Sequence, residues 1–123
     1  MNIYSMVDTS PTRVFATSAA LTGGAFTLVT LGENGVATSA AGDTPIGILA
    51  AESELPIAAG EDVNVVVCGG CLLTAGEAVK AGDLLAAGAG GKAVKATSGD
   101  FIFAQALENG AAGEAVRVLI VRA

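Results

Sequence analysis

The side chains of this sequence that are best suited to chemistry are two cysteines separated by two glycines, Cys68-Gly69-Gly70-Cys71. This spacing occurs in zinc sites and in thiol–disulfide redox centres. A zinc site of that kind needs a second pair of ligands, and a redox centre needs a strand-to-helix context, and the sequence offers neither. We therefore interpret the cysteines as apolar side chains flanking a bend in a strand. A disulfide between them would require an oxidising compartment.

Other candidate catalytic and metal-binding groups are sparse. The sequence has no histidine, which removes the commonest general base and most zinc sites. The acidic residues lie mainly beside glycine in turns, where a carboxylate bonds the local backbone, and no Asp-x-Asp-x-Asp spacing suggests a calcium loop. The glycine-rich residues 88–91 lack the Lys-Ser/Thr of a phosphate-binding loop. We predict no catalytic residues, no metal, no cofactor and no enzymatic activity.

Charge and hydropathy exclude further classes of partner. The chain of 123 residues carries 12 acidic and six basic residues and a net charge of −6. No run of Lys or Arg provides an electrostatic surface for nucleic acid. No segment approaches the roughly 18 apolar residues that a membrane-spanning helix needs. Residues 1–12 do not resemble a secretory signal, so we expect synthesis in a cytoplasm.

Small residues dominate the composition. The sequence contains 25 alanines and 17 glycines but only five aromatic residues. A core built from such side chains is thin, and a small domain already buries a limited share of its surface. We therefore predict that the protein associates with itself or with a partner, and that this association supplies part of its stability.

Two short patterns recur along the chain. Ala-Gly-Glu-x-Val occurs at residues 59–63, 75–79 and 112–116, and Gly-Asp occurs at 42–43, 82–83 and 99–100. Each predicts a tight turn, because glycine tolerates positive φ and the acidic side chain can bond its own backbone. Residues 35–49 and 91–107 also resemble each other, and each copy leads to an Ala-Gly-Glu turn and a Val-rich strand. Seven to nine short strands are predicted, which favours an all-β barrel or folded-over sheet.

The first 20 residues differ from the rest of the chain. They hold both methionines, the one tyrosine and an isolated proline, and they show neither helical nor strand periodicity. Two interpretations remain open, a frayed terminus or an arm that becomes ordered on a partner. The second interpretation divides the chain into an extended N-terminal arm, residues 1–20, and a β-barrel domain, residues 21–123.

The order of several blocks resembles a known family. The blocks are residues 46–49, 59–63, a Val run closed by glycine, residues 75–85, and residues 104–107 followed by 113–118. Together they resemble the capsid cement (head decoration) proteins of tailed bacteriophages. The resemblance implies a compact β-barrel or β-tulip module related to the β-clip group, and symmetric clusters, often trimers, on the outside of an icosahedral shell. It implies no enzymatic activity and no cofactor. The Cys-Gly-Gly-Cys sequence is not part of the family pattern.

From this resemblance we expect a virion protein on the outer surface of an assembled phage head. It would form a homotrimer and stabilise the head by bridging neighbouring subunits of the major capsid protein. The arm could add a strand to an exposed sheet edge of the shell. Its capsid-contact residues would be Ile3, Tyr4, Met6, Val7 and Arg13.

A different class of protein shares one of these blocks. Residues 77–85 also resemble the second-half turn of biotinyl and lipoyl carrier domains. Those domains need a modified lysine at a hairpin tip, with methionine on both sides or aspartate before it. Lys80, Lys92 and Lys95 have neither neighbour, so a carrier domain is the alternative and decoration of a phage head is the main hypothesis.

Overall fold

The computed structural model describes residues 12–21, 24–50 and 57–122. In these ranges the protein is all-β, as predicted, with ten strands instead of the expected seven to nine and a single 3-10 turn at Ala89–Gly91. The strands are β1 Thr12–Ala16, β2 Leu28–Gly32, β3 Gly35–Thr38, β4 Gly47–Leu49, β5 Asp62–Val66, β6 Gly70–Thr74, β7 Leu84–Ala87, β8 Ala93–Lys95, β9 Ala104–Ala106 and β10 Ala115–Ile120.

The strands form two sheets with the same topology. The first sheet has the order β1-β5-β4-β2-β3, and the second has the order β6-β10-β9-β7-β8. All strand pairs within them are antiparallel. Each sheet also has one isolated parallel bridge, Thr17–Val36 in the first and Ala75–Ala93 in the second. These bridges bring the end of β1 beside β3 and the end of β6 beside β8, but a single bridge does not close the sheet into a barrel. We call residues 12–66 the first repeat and residues 70–120 the second repeat.

The register of the two sheets is also the same. In the first sheet Val66 pairs with Thr12 on one side and with Ile48 on the other. In the second sheet Leu119 pairs with Gly70 and with Gln105 in the same way. The duplication predicted from residue 35 onward is therefore confirmed, and it extends back to residue 12. The duplication before residue 35 is difficult to recognise in the sequence, because the two copies differ in loop length there. The β2–β3 loop has two residues and the β7–β8 loop has five.

Five turns share one geometry, which confirms the interpretation of the glycine–acid pairs. The acidic residue donates its backbone N–H to the carbonyl three residues earlier, at 3.0–3.3 Å. In four of the turns its carboxylate also accepts the first residue's N–H, at 2.7–2.9 Å. The glycine before the acid has a positive φ, the conformation that a type II turn requires at this position. These glycines are Gly42 (84°), Gly60 (87°), Gly82 (92°), Gly99 (91°) and Gly113 (87°).

The middle Ala-Gly-Glu copy, residues 75–79, does not form this turn, so the prediction is wrong there. The N–H of Gly76 donates to the carbonyl of Ala93 at 2.7 Å, and Glu77 Oε2 accepts the N–H of Lys95 at 2.8 Å. This segment follows β6, in the place that Thr17 and Ser18 take after β1. The segment therefore links the end of β6 to β8. Its backbone and its acidic side chain both bond β8, and the side chain does not bond the segment's own backbone.

Each repeat has its own buried cluster. The first contains Val29, Val36 and Val65, and the second contains Leu73, Phe103 and Val118. Leu28 and Ile48 lie on strands of the first sheet but belong to the cluster of the second repeat. The two repeats are thus joined through a shared apolar core.

The N-terminal arm predicted for residues 1–20 overlaps the first strand. Thr12–Ala16 pairs with β5, and Phe15 packs against the first cluster. Within the described residues the first sheet therefore begins at Thr12, inside the range predicted for the arm, and the half-buried Phe15 supplies an apolar contact with the first cluster. Residues 1–11, and with them most of the predicted arm, lie outside the described residues.

Candidate functional site

The predicted capsid-contact residues are described only in part. Ile3, Tyr4, Met6 and Val7 lie outside the described residues. Arg13 lies in β1, where it is exposed and pairs in register with Val65. The structure therefore brings one of the five predicted contact residues into view, on a strand at the edge of the first sheet.

The two cysteines flank a bend, as the sequence suggests. Gly69 has a φ of 81°, and β6 begins at Gly70. Cys68 is exposed, and Cys71 is half-buried against the second cluster. Burial raises the pKa of the Cys71 thiol above its usual value, which lowers its thiolate fraction and its reactivity.

Six of the nine described carboxylates accept a hydrogen bond from a backbone N–H. Asp43, Asp83, Asp100 and Glu114 cap their own turns. Glu108 accepts the backbone N–H of Arg117 at 3.0 Å and lies 3.4 Å from its Nε, an exposed ion pair. Among the described residues no group of three or more Cys, Asp or Glu could hold a metal ion. Within the same ranges no helix is long and apolar enough to cross a membrane.

The second sheet carries an exposed apolar face. Its register places Leu84, Gln105 and Leu119 in one row across β7, β9 and β10. Leu84 and Leu119 are 44% and 42% exposed. Leu107 follows β9 on the same face and is also exposed. We call the face carrying these four residues the open face. Exposed apolar side chains that lie together on one face are a feature of interaction sites in soluble proteins.

Two cavities adjoin the open face. A groove of about 420 Å³ is lined mainly by apolar atoms of Gly70, Cys71, Leu72, Leu107, Arg117 and Val118. A cavity of about 290 Å³ lies at the other end of the row. It is lined by Gly82, Asp83, Leu84, Lys95 and Ala96, so it combines an apolar wall with an exposed cation. Both are open, partly apolar depressions suited to contact with another surface.

The equivalent row of the first sheet is buried at two of its three positions, and Val66, which corresponds to Leu119, is half-buried. Leu28 occupies the position of Leu84 in the shared register, but Leu28 is 1% exposed. Ile48, which corresponds to Gln105, is fully buried. Sequence reasoning did not find the open face, because the signal, a leucine at both 28 and 84, becomes visible only when the repeats are aligned in space.

The fold places the protein among small all-β modules made of two repeated five-stranded sheets. No protein-family model matches the sequence, and no curated protein matches it. Among solved structures the chain is similar to the N-terminal base of the head fiber protein gp8.5 of bacteriophage phi29. The two share 22% sequence identity and a TM-score of 0.71, over 91% of this chain and 94% of that one. The protein therefore has the fold of a phage head fiber base.

Proposed function

We propose that this protein is a structural component of a phage head, which binds the outer surface of the assembled shell as a decoration protein. The observation that carries the proposal is the likeness in fold to the phi29 head fiber base, which covers nearly the whole of both chains. The order of the Ala-Gly-Glu and Val-rich blocks supports the same class of protein independently.

The stabilising effect would follow from selective binding to the assembled state. A ligand that binds the assembled shell, but not its free subunits, shifts the equilibrium toward the shell by mass action. In this proposal each copy bridges neighbouring subunits of the major capsid protein. A homotrimer would add avidity, since the second and third contacts form at a high effective concentration.

The N-terminal segment is the proposed contact with the shell. The chain enters the first sheet at Thr12, on a strand at the end of the sheet order. Residues that precede such a strand can extend it and pair with a sheet edge of another protein. Ile3, Tyr4, Met6 and Val7 supply apolar side chains, and Arg13 supplies a charge at the start of β1.

A role without enzymatic activity is part of the proposal. It is supported by the absence of histidine from the sequence and by the four turn carboxylates that are bonded to the backbone. The carrier-domain alternative is tested by intact mass after expression with biotin or lipoate ligase. An added biotinyl or lipoyl group would support that alternative.

Binding to heads tests the proposal directly. Heads of the phage that encodes the chain are purified from a mutant lacking this gene and sedimented with added protein. We expect saturable binding and slower loss of DNA from the heads on heating. Deletion of residues 1–10 keeps β1 intact, so the fold should survive while the affinity for heads falls at least tenfold. Absence of binding by the full chain would contradict the function, and equal binding by the truncated chain would contradict the role of the arm.

A particle map tests the finer details. A cryo-EM map of decorated heads should show density for clusters of three copies, each touching more than one capsid subunit. Isolated single copies, each on one capsid subunit, would contradict both the homotrimer and the bridging role. They would leave the assignment to the head surface intact.

A further inference from the structure

One pair of equivalent leucines, Leu28 and Leu84, differs in burial between the two repeats. Leu28 of the first sheet is buried in the cluster of the second repeat. Leu84, its equivalent in the second sheet, is 44% exposed and lines the 290 Å³ cavity. The second repeat thus covers the surface around Leu28 on the first repeat. The equivalent surface around Leu84 on the second repeat is exposed.

The β7–β8 loop makes the contact within the chain. A Cβ on Gly91 would lie 2.7 Å from the carbonyl oxygen of Leu28 and 3.2 Å from Cβ of Thr27, so the loop is pressed against that surface. Nearby, the N–H of Gly42 donates to the carbonyl of Ala87 at 3.2 Å. Thr27, Leu28 and Thr38 form a socket that the loop fills, as the distances from Gly91 show.

The second repeat has the same socket with nothing described inside it. In the common register Asp83, Leu84 and Lys95 are the equivalents of Thr27, Leu28 and Thr38. These three residues, with Gly82 and Ala96, line the cavity of about 290 Å³. We call this cavity the open socket. The filled socket admits only a glycine at its closest point, whereas the open one has room for side chains.

The first repeat also has an equivalent of the loop that fills a socket. It is the β2–β3 hairpin, residues 31–35, whose Leu31 corresponds to Ala87. Ala87 is buried in the cluster that contains Leu28, whereas Leu31 is 49% exposed. At the tip of the hairpin Glu33 is exposed. The open socket holds one cation, Lys95, and one carboxylate, Asp83, which already accepts the backbone N–H of Lys80 at 2.9 Å, so Lys95 is the group of opposite charge that Glu33 can meet.

We propose that the open socket receives the β2–β3 hairpin of a second copy of this chain. The contact repeats between copies the arrangement that already joins the two repeats within one copy. It covers Leu31 and Leu84 together and places Glu33 beside Lys95. Because the two surfaces differ, the association is head-to-tail, and it closes when copies form a ring. The proposal concerns the protein alone and does not depend on binding to a head.

Engineered disulfides test which surfaces meet. In a Cys68→Ser/Cys71→Ser background, Leu31→Cys and Leu84→Cys are made separately and mixed under copper-phenanthroline oxidation. We expect cross-linked dimers from the mixture, little product from either variant alone, and higher covalent oligomers from the double variant. Val14→Cys, at an exposed apolar position outside both surfaces, is the control. Dimers from either variant alone in equal yield, or none from the mixture, would overturn the proposal. A further variant, Leu84→Cys/Met6→Cys, tests whether the N-terminal segment of the same chain occupies the open socket. A disulfide within one chain of this variant would overturn the proposal too.

Sedimentation velocity over a concentration series measures the unmodified contact. Leu84→Glu should weaken association at least tenfold, and Val14→Glu should leave it unchanged. Glu33→Lys and Lys95→Glu should each weaken it, and the double variant should recover most of the loss. Thermal melting confirms that each variant is folded. A parent protein that stays monomeric throughout the series, or a charge swap without recovery, would overturn the proposal. Binding to heads is measured separately, so failure of one proposal is distinguishable from failure of the other.

Discussion

Phe26 and Gly82 occupy the same position in the two repeats, and both have a positive φ, 58° and 92°. The equivalence is shown by their hydrogen bonds, since Phe26 donates to the carbonyl of Leu49 and Gly82 donates to that of Ala106, its counterpart. Gly82 adopts this conformation without strain, whereas a residue with a Cβ does not. Phe26 keeps it because its ring packs against the second cluster.

This relationship predicts an inverted order of stability at position 26. Phe26→Gly and Phe26→Ala both lose the ring contact, but only alanine retains the strain of positive φ. We expect the glycine variant to be the more stable of the two by about 1 kcal/mol, measured by urea unfolding. Val14 in β1 is the control, since there Val14→Ala should be the more stable variant. An alanine variant that is more stable than glycine at position 26 would show that the backbone there is unstrained.

The turn carboxylates should contribute measurably to stability. Asp100 Oδ2 accepts hydrogen bonds from the Thr97 N–H at 2.8 Å and from its hydroxyl at 3.0 Å. We expect Asp100→Ala to lower the free energy of unfolding by about 1 kcal/mol, since both donors lose their partner. Glu61 is the matched control, because its turn closes by the same backbone bond and none of the described residues donates to its carboxylate. Equal losses from Asp100→Ala and Glu61→Ala would refute the role of the side chain.

One glycine of the first sheet is required for space. A Cβ on Gly47 would collide with Cγ1 of Val65 and with the carbonyl of Val66, which lie on the neighbouring strand β5. Because both are held in the sheet, we expect Gly47→Ala to lower the free energy of unfolding by about 3 kcal/mol. Gly32→Ala is the control, since the nearest atom to a Cβ there is 3.7 Å away. Chemical denaturation of both variants makes the comparison, and a Gly47→Ala protein as stable as the parent would contradict the packing described.

The two thiols should react at different rates. Burial raises the pKa of the Cys71 thiol, so a smaller fraction of it is ionised at pH 8 than in an unperturbed cysteine. Cys68, in contrast, is exposed to the reagent. With iodoacetamide at pH 8 we expect Cys68 to be alkylated several-fold faster than Cys71. The rate at Cys71 should continue to rise above pH 9, because burial raises the pKa of this thiol. The single variants Cys68→Ser and Cys71→Ser give the two rates separately. Equal rates and equal pH profiles would contradict the difference in environment.

The sequence by itself determined the local features of this protein. The turns at Asp43, Asp83 and Asp100 could be predicted because a glycine and an acidic side chain decide the geometry within four residues. Strands between such turns follow from β-branched and apolar runs, so the all-β class was also within reach. The second half of each repeat was recognisable for the same reason, since its glycine–acid pairs are conspicuous in the sequence.

Only the tertiary structure decided which equivalent surfaces are covered. Leu28 and Leu84 have the same side chain and the same register position, yet one is buried and the other is exposed. Burial depends on what distant segments pack against a residue, and no local pattern contains that information. The same holds for Thr12–Ala16, which forms a strand because β5 pairs with it. It holds as well for Phe26, whose backbone conformation is fixed by a core formed mostly by the other repeat.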